Sequence, residues 1–227
     1  MVRSFQITNK ESTLKNKSSY TNLVLIKHPL VERDITILRD KKTKSEMFRS
    51  AVTRISNVLA VEISNAFSLA RFNVDTPLEK TNGYKLKQEV VLIPVLRAGL
   101  AMVEGFLQLI PDSKLGHVGL ERNETTLQPN RYYLKTPKNL SKAEVILLDP
   151  MLATGGSASA AINFLKKRGS KNLVFACLLA APDGVKKILK DHPDVIIFSA
   201  ALDRQLNSKG YILPGLGDAG DRTFGTL

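Results

Sequence analysis

The sequence predicts an α/β protein built on a parallel sheet flanked by helices. Two observations carry this. From Glu89 onward, runs that are apolar at every position alternate with segments of helical period, as expected for strands covered on both faces. One such run, Ala143-Glu-Val-Ile-Leu-Leu148, passes through Asp149-Pro-Met-Leu-Ala-Thr-Gly-Gly-Ser157 into the helix-like Ala158 to Arg168. That stretch has the order strand, phosphate loop, helix.

The first twenty residues are polar, rich in Lys, Ser, Asn and Thr, and without period, which predicts a flexible N-terminal extension over 1–20. A single domain over 21–227 is expected to follow, with order beginning near Thr21-Asn-Leu-Val-Leu-Ile26. Thr43-Lys-Ser-Glu46 has the spacing of a capping box and predicts a helix start. Phe48, Val52, Ile55, Leu59 and Ile63 then recur at helical spacing and mark one buried stripe. Val90 to Leu96 reads as a strand, Leu100 to Leu109 as a helix, and Lys114 to Leu120 and Ala143 to Leu148 as strands. The helix Ala158 to Arg168 is closed by Gly169. The strand Asn172 to Ala180, the helix Gly184 to Lys190 and the strand Val195 to Ala201 complete the series. In such sheets ligands sit beyond the carboxyl ends of the strands.

With 227 residues the chain can bury about 70% of its unfolded surface in one domain. Its single cysteine, Cys177, lies in an apolar run, which excludes an intrachain disulfide and suits a small buried hydrophobe. No apolar stretch approaches the ~20 residues of a membrane helix, and the polar start lacks the apolar core of a signal peptide, so a cytoplasmic location and no membrane partner are expected. The formal charge of +12 favours anionic partners. The basic residues do not alternate with aromatic ones as in single-strand binders, so no nucleic acid partner is expected.

Four constellations carry chemistry. In Asp149 to Ser157, Gly155 and Gly156 let the backbone approach a phosphate, Thr154 and Ser157 offer hydroxyls, and Asp149 is placed for a ribose diol. A plain strand-to-helix turn capped by Ser157 explains one serine and one glycine but not the acid. The Gly-Lys-Ser/Thr ending of a triphosphate P-loop and the G-x-G-x-x-G of a dinucleotide fold are both lacking. In Leu96-Arg-Ala-Gly-Leu100, Arg97 can take a phosphate bidentately at the same sheet edge; in isolation a solvated arginine at a helix start is the plainer reading, but two such loops at one sheet edge favour the phosphate. Glu121 to Tyr133 suits either a loop that closes over the crevice with Arg122 or an ordinary surface hairpin. Tyr211-Ile-Leu-Pro-Gly-Leu-Gly-Asp-Ala-Gly-Asp221 is a side-chain-poor loop whose N–H and C=O groups can read a flat ring with a donor between two acceptors. Asp218 and Asp221 there could hold a metal-bound water, whereas a glycine-rich tail tying down the C-terminus would need neither acid. His28, His117 and His192 share no metal-ligand spacing.

Pro94-Val-Leu-Arg-Ala-Gly99, Arg122-Asn-Glu, Asp149 to Ser157 and Tyr211 to Asp221 together resemble the uracil phosphoribosyltransferase family, in order from Lys27-His-Pro-Leu-Val31 to Phe224-Gly-Thr226. The resemblance implies a type I phosphoribosyltransferase core with a small hood that includes the C-terminal glycine loop. It also implies transfer of a ribose 5-phosphate group from phosphoribosyl pyrophosphate (PRPP) to uracil N1, giving UMP and diphosphate. By the same resemblance Asp149, Pro150, Met151, Leu152, Ala153, Thr154, Gly155, Gly156 and Ser157 bind the ribose 5-phosphate of PRPP, and Arg97 and Arg122 bind PRPP as catalytic groups. Ile212, Gly217, Asp218 and Ala219 meet the uracil edge, and Asp218 serves the diphosphate side as a catalytic residue. Mg²⁺ is implied as the cofactor, arriving with PRPP and not held by a direct protein site. The expected partners are uracil, PRPP, a GTP effector and further copies of the chain, as a dimer or higher homo-oligomer. Glu121, Ala101 and Val61-Glu-Ile depart from frequent family residues, and the first twenty residues have no counterpart in shorter members. A nucleotide-sensing RNA-binding protein on the same fold is the alternative that the basic charge suggests.

Overall fold

The computed structural model describes residues 20–122 and 129–226, with the backbone alone for 121, 122 and 129–131. In chain order the first half comprises β1 (Leu23–Leu25), α1 (Pro29–Arg39), α2 (Ser45–Ser64), β2 (Leu69–Asp75), β3 (Lys80–Leu86), β4 (Val90–Leu96), α3 (Leu100–Leu109), β5 (Lys114–Leu115), β6 (His117–Arg122) and β7 (Pro129–Lys135). The second comprises β8 (Glu144–Leu148), β9 (Met151–Leu152), α4 (Gly156–Lys167), β10 (Asn172–Ala180), α5 (Pro182–Asp191), β11 (Ile196–Leu202), β12 (Gln205–Leu206), β13 (Ile212–Leu213) and α6 (Ala219–Phe224). No helix among the described residues is long and apolar enough to cross a membrane.

The main sheet runs β1-β11-β10-β8-β4-β6-β7, with β5 beside β4 and β9 beside β10. Every pair is parallel except β6 with the edge strand β7. Successive side chains of each central strand enter opposite cores, which is why these strands are apolar throughout. Leu92, Ile146, Leu148, Val174, Ala176 and Leu178 pack with α1, α2 and α3. Val91, Ile93, Val145, Leu147, Leu173, Phe175 and Cys177 pack with α4 and α5 on the other face. Cys177 is fully buried, and that burial pushes its thiol up to about 12.

The stripe Phe48, Val52, Ile55, Leu59 and Ile63 is completely buried. The capping box is not formed. Helix α2 begins at Ser45 after Lys44, with no side-chain cap, because the Thr43 hydroxyl donates instead to the Ile37 carbonyl at 2.7 Å and closes the α1–α2 turn. Helix α5 starts at Pro182 rather than Gly184, since proline suits the first helical position. The hairpin β2–β3, read from no periodicity in the sequence, projects Phe72, Leu78 and Tyr84 into solvent. Glu121 to Tyr133 falls on the β6–β7 hairpin; residues 123–128 lie outside the described residues.

Strand order reverses about β4: the chain leaves it for β6 on one side and returns to β8 on the other. Ligand crevices of open α/β sheets lie at such a reversal, outside the carboxyl ends of the strands. Arg97 follows the end of β4 and Asp149 the end of β8, so the fold itself makes neighbours of them.

Candidate active site

The chain crosses this edge at Arg97-Ala-Gly99 with little room. A Cβ on Gly99 would collide with the Leu148 carbonyl of the adjacent strand, which brings the β4 and β8 loops together. The Leu96–Arg97 peptide is cis. Arg97 is more than half exposed, and its Nη2 donates to Asp221 Oδ1 at 3.0 Å while the guanidinium lies 5.9 Å from the Phe224 ring centre. The Thr226 hydroxyl donates to the same Asp221 oxygen at 2.6 Å. That bond first, and Arg97 next, hold the Asp221 carboxyl below the ordinary aspartate value.

On the neighbouring strand, Asp149 accepts the Met151 N–H at 3.3 Å. Its carboxyl is raised to about 7, because desolvation outweighs that bond. The residues after it divide by role. Pro150 is buried and its carbonyl accepts the Leu178 and Leu179 N–H groups at 3.0 Å, and the Leu152 side chain lies in the core against α4 and α5. These two therefore fix the loop, while Met151 and Ala153 face a cavity. Gly155 takes a left-handed conformation, φ 79°, and forms the uncapped N-terminus of α4, with Ser159 N–H donating to its carbonyl. Ser157 is not the cap. Thr154 and Ser157 are exposed, and among the described residues the Thr154 hydroxyl, at 3.8 Å, is the one group beyond the adjoining backbone that approaches the position of a Cβ on Gly156. A helix start with orphan N–H groups, no side-chain cap and open space beside it suits an oxyanion.

The far wall is the C-terminal loop. β12 and β13 form a short antiparallel ribbon, and the chain then turns through the cis Leu213–Pro214 peptide, Gly215 at φ 65° and Gly217 at φ 82°. Asp218 caps α6 by accepting the Asp221 N–H at 2.9 Å. Ile212, Gly217, Asp218 and Ala219 meet Asp149, Met151 and Ala153 across one cavity of about 250 Å³, completed by Ala98, Gly210, Tyr211 and Gly220. The structure therefore unites three of the four predicted constellations. The Arg122 side chain lies outside the described residues.

A family model described as uracil phosphoribosyltransferase matches residues 24–226. The chain belongs to the uracil phosphoribosyltransferase family. Among its relatives, the uracil phosphoribosyltransferase of Malacoplasma penetrans is 52% identical over 199 residues, 88% of this chain and 97% of that one. The one from Finegoldia magna is 49% identical over 207 residues, 91% and 99% of the two chains. The solved structure of the AQ2163 protein from Aquifex aeolicus superposes with a TM-score of 0.84 at 37% identity, covering 89% of this chain and 97% of that chain. The family match thus spans both walls of the cavity but not the first twenty-three residues.

Sequence reasoning missed what holds the C-terminal loop. Asp203, which follows β11, is buried and takes Arg39 bidentately, at 2.5 and 2.8 Å. Arg222 is buried as well, with its guanidinium 4.6 Å from the Phe48 ring centre. One signal was available for Asp203: an acid directly after an apolar strand, the same sign that singled out Asp149. Of the histidines, His28 caps α1 through Nδ1, at 3.2 Å from Leu30 N, and buried His192 contacts Ser159.

Proposed function

We propose that this cavity transfers the ribose 5-phosphate group of PRPP to N1 of uracil, releasing diphosphate and forming UMP. The observation that carries the reading is that a single cavity is lined by a ribose-phosphate loop on one side and a backbone-rich loop on the other, in a chain of this family. The C1–O bond to diphosphate breaks as the C1–N1 bond forms. The electron pair leaves with diphosphate and the uracil N1 proton is released.

Each wall has its task. Asp149 accepts from the ribose hydroxyls, and the N–H groups at the start of α4 hold the 5-phosphate. Arg97 exchanges Asp221 for the diphosphate, where its fork stabilises the charge that grows on the leaving group. The 212–219 backbone pairs with the uracil edge and turns N1 toward C1, so that orientation supplies a large part of the rate.

The donor set fits a metal that is held mainly by substrate oxygens. No cluster of three or more His, Cys, Asp or Glu suited to a metal forms among the described residues. Asp218, at the cavity wall, is the protein group that would face Mg²⁺ or its water. Bound Mg²⁺ supplies neutralisation of the diphosphate charge. The reading also includes a cytoplasmic enzyme and self-association. Exposed Leu69, Phe72, Leu78 and Tyr84 on the β2–β3 hairpin support association, which sedimentation velocity tests by a mass above one chain.

The deciding experiment incubates the protein with PRPP, Mg²⁺ and a panel of free bases. UMP from uracil, with no monophosphate from the purines, is expected. Absence of product with every base would overturn the reading.

A further inference from the structure

Three backbone polar groups of Gly215 and Leu216, in the base-side loop, are held by charged side chains that do not line the cavity. The Gly215 N–H donates to Asp203 Oδ2 at 2.9 Å, and Arg39 Nη1 donates to the Gly215 carbonyl at 2.9 Å. Arg222 Nη1 donates to the Leu216 carbonyl at 2.7 Å. The same guanidinium donates to the Leu38 carbonyl and, at 2.6 Å, to the Asp40 carbonyl. The end of α1, whose last carbonyls have no partners within the helix, is thereby tied to the loop twice: through Arg39 and through Arg222.

We propose that Arg39 and Asp203, with Arg222 beside them, are positioning residues that fix the 212–219 backbone for recognition of the base. This rests on the function proposed above. The loop needs such a device because its glycines impose almost no conformation of their own. Gly215 sits at positive φ, and a Cβ there would collide with the Ile212 carbonyl, so no bulkier residue can stiffen the turn. A ring read by backbone amides requires those amides within a few tenths of an ångström of their place. A bidentate ion pair on a buried aspartate that also takes both polar groups of Gly215 meets that need. The ribose-phosphate side has no share in this clamp, because its loop is anchored through β9 and the Pro150 carbonyl to β10. Disturbing the clamp should therefore separate the two substrates.

Asp203→Asn, Arg39→Gln and Arg39→Lys are compared with Asp34→Asn, which weakens another buried aspartate paired bidentately with Arg54 at 2.8 and 2.9 Å, away from the loop. KM for uracil, KM for PRPP and thermal midpoint are measured for each. Asp203→Asn and Arg39→Gln should raise KM for uracil about tenfold or more while KM for PRPP stays within about twofold, the scale of one charged hydrogen-bonding pair. Arg39→Lys keeps the charge but loses the fork and should recover part of the uracil affinity. Asp34→Asn should lower the midpoint yet leave both KM values within about twofold. Uracil KM unchanged in the folded Arg39 variants, or both KM values rising together, would overturn the proposal. If Asp203→Asn does not fold, the two Arg39 variants decide by the same criterion. Failure of the native chain to form UMP would instead overturn the functional reading beneath it.

Discussion

The two walls of the cavity are built in opposite ways. The wall proposed for the ribose phosphate is local: Asp149, Met151 and Ala153 line the cavity from one strand–loop–helix unit, set by β8, β9 and the start of α4. The wall proposed for the base is a glycine-rich turn held from a distance, by Arg39 bonded to Asp203 across 164 positions and to Gly215 across 176, and by Arg222 bonded to Leu38 across 184. Contiguous residues make a phosphate cradle because a helix start supplies the donors. Recognition of a flat ring by main chain has no comparable local device, and the rest of the fold must impose it.

The sharpest way to break this contrast is to act on the residue where the walls meet. Arg97 belongs to the phosphate side by position but touches Asp221 and Phe224 of the other. Arg97→Ala should lower kcat/KM roughly 10²–10³-fold with the thermal midpoint nearly unchanged, as expected for an exposed group aimed at transition-state charge. Steady-state UMP formation checks this. Next comes Gly155→Val, confined to the local wall. Its side chain must adopt φ 79° with its Cβ 3.0 Å from the Gly184 carbonyl, a strain of about 1–3 kcal/mol. We expect kcat/KM for PRPP to fall roughly 10–100-fold at this strain, with KM for uracil hardly altered. Equal losses for both substrates would show that the walls are not independent.

The smallest effect is a titration. Burial raises the folded Asp149 carboxyl from 3.8 to about 7, so the fold favours its neutral form. The stability this contributes is complete below about pH 4 and is lost as pH rises through about 7. The midpoint of Asp149→Asn should therefore gain on that of the native chain between about pH 4 and pH 8. The carboxylate is the better acceptor for a ribose diol, so native kcat/KM for PRPP should climb up to about tenfold from pH 6 to pH 8 relative to the variant. The variant serves as the reference because it shares the titration of PRPP itself. Parallel profiles would remove Asp149 from the ribose site.

This contrast also explains what the sequence revealed. Asn172 to Ala180 is a strand over the expected residues, and Phe48 to Ile63 forms the expected stripe, because burial imposes a pattern on neighbouring residues. The passage from β8 through Asp149 to Ser157 into α4 was legible for the same reason. Thr43 misled because its hydroxyl is claimed by Ile37, outside its own helix. The β2–β3 hairpin left no signal because its strands have no buried residue. Arg39 and Arg222 were invisible: each looks like one more basic residue in a chain with 33 of them, and only the fold brings them to Gly215 and Leu216.

The central claim is that two dissimilar walls form one site. UMP carries both the ribose 5-phosphate and the base, so it must fill both, whereas PRPP must occupy the shared phosphate side. Calorimetric titration of the native chain with UMP, alone and then in excess PRPP with Mg²⁺, tests this directly. One UMP site per chain, abolished by PRPP, is the predicted result; UMP binding unchanged by saturating PRPP would contradict the account.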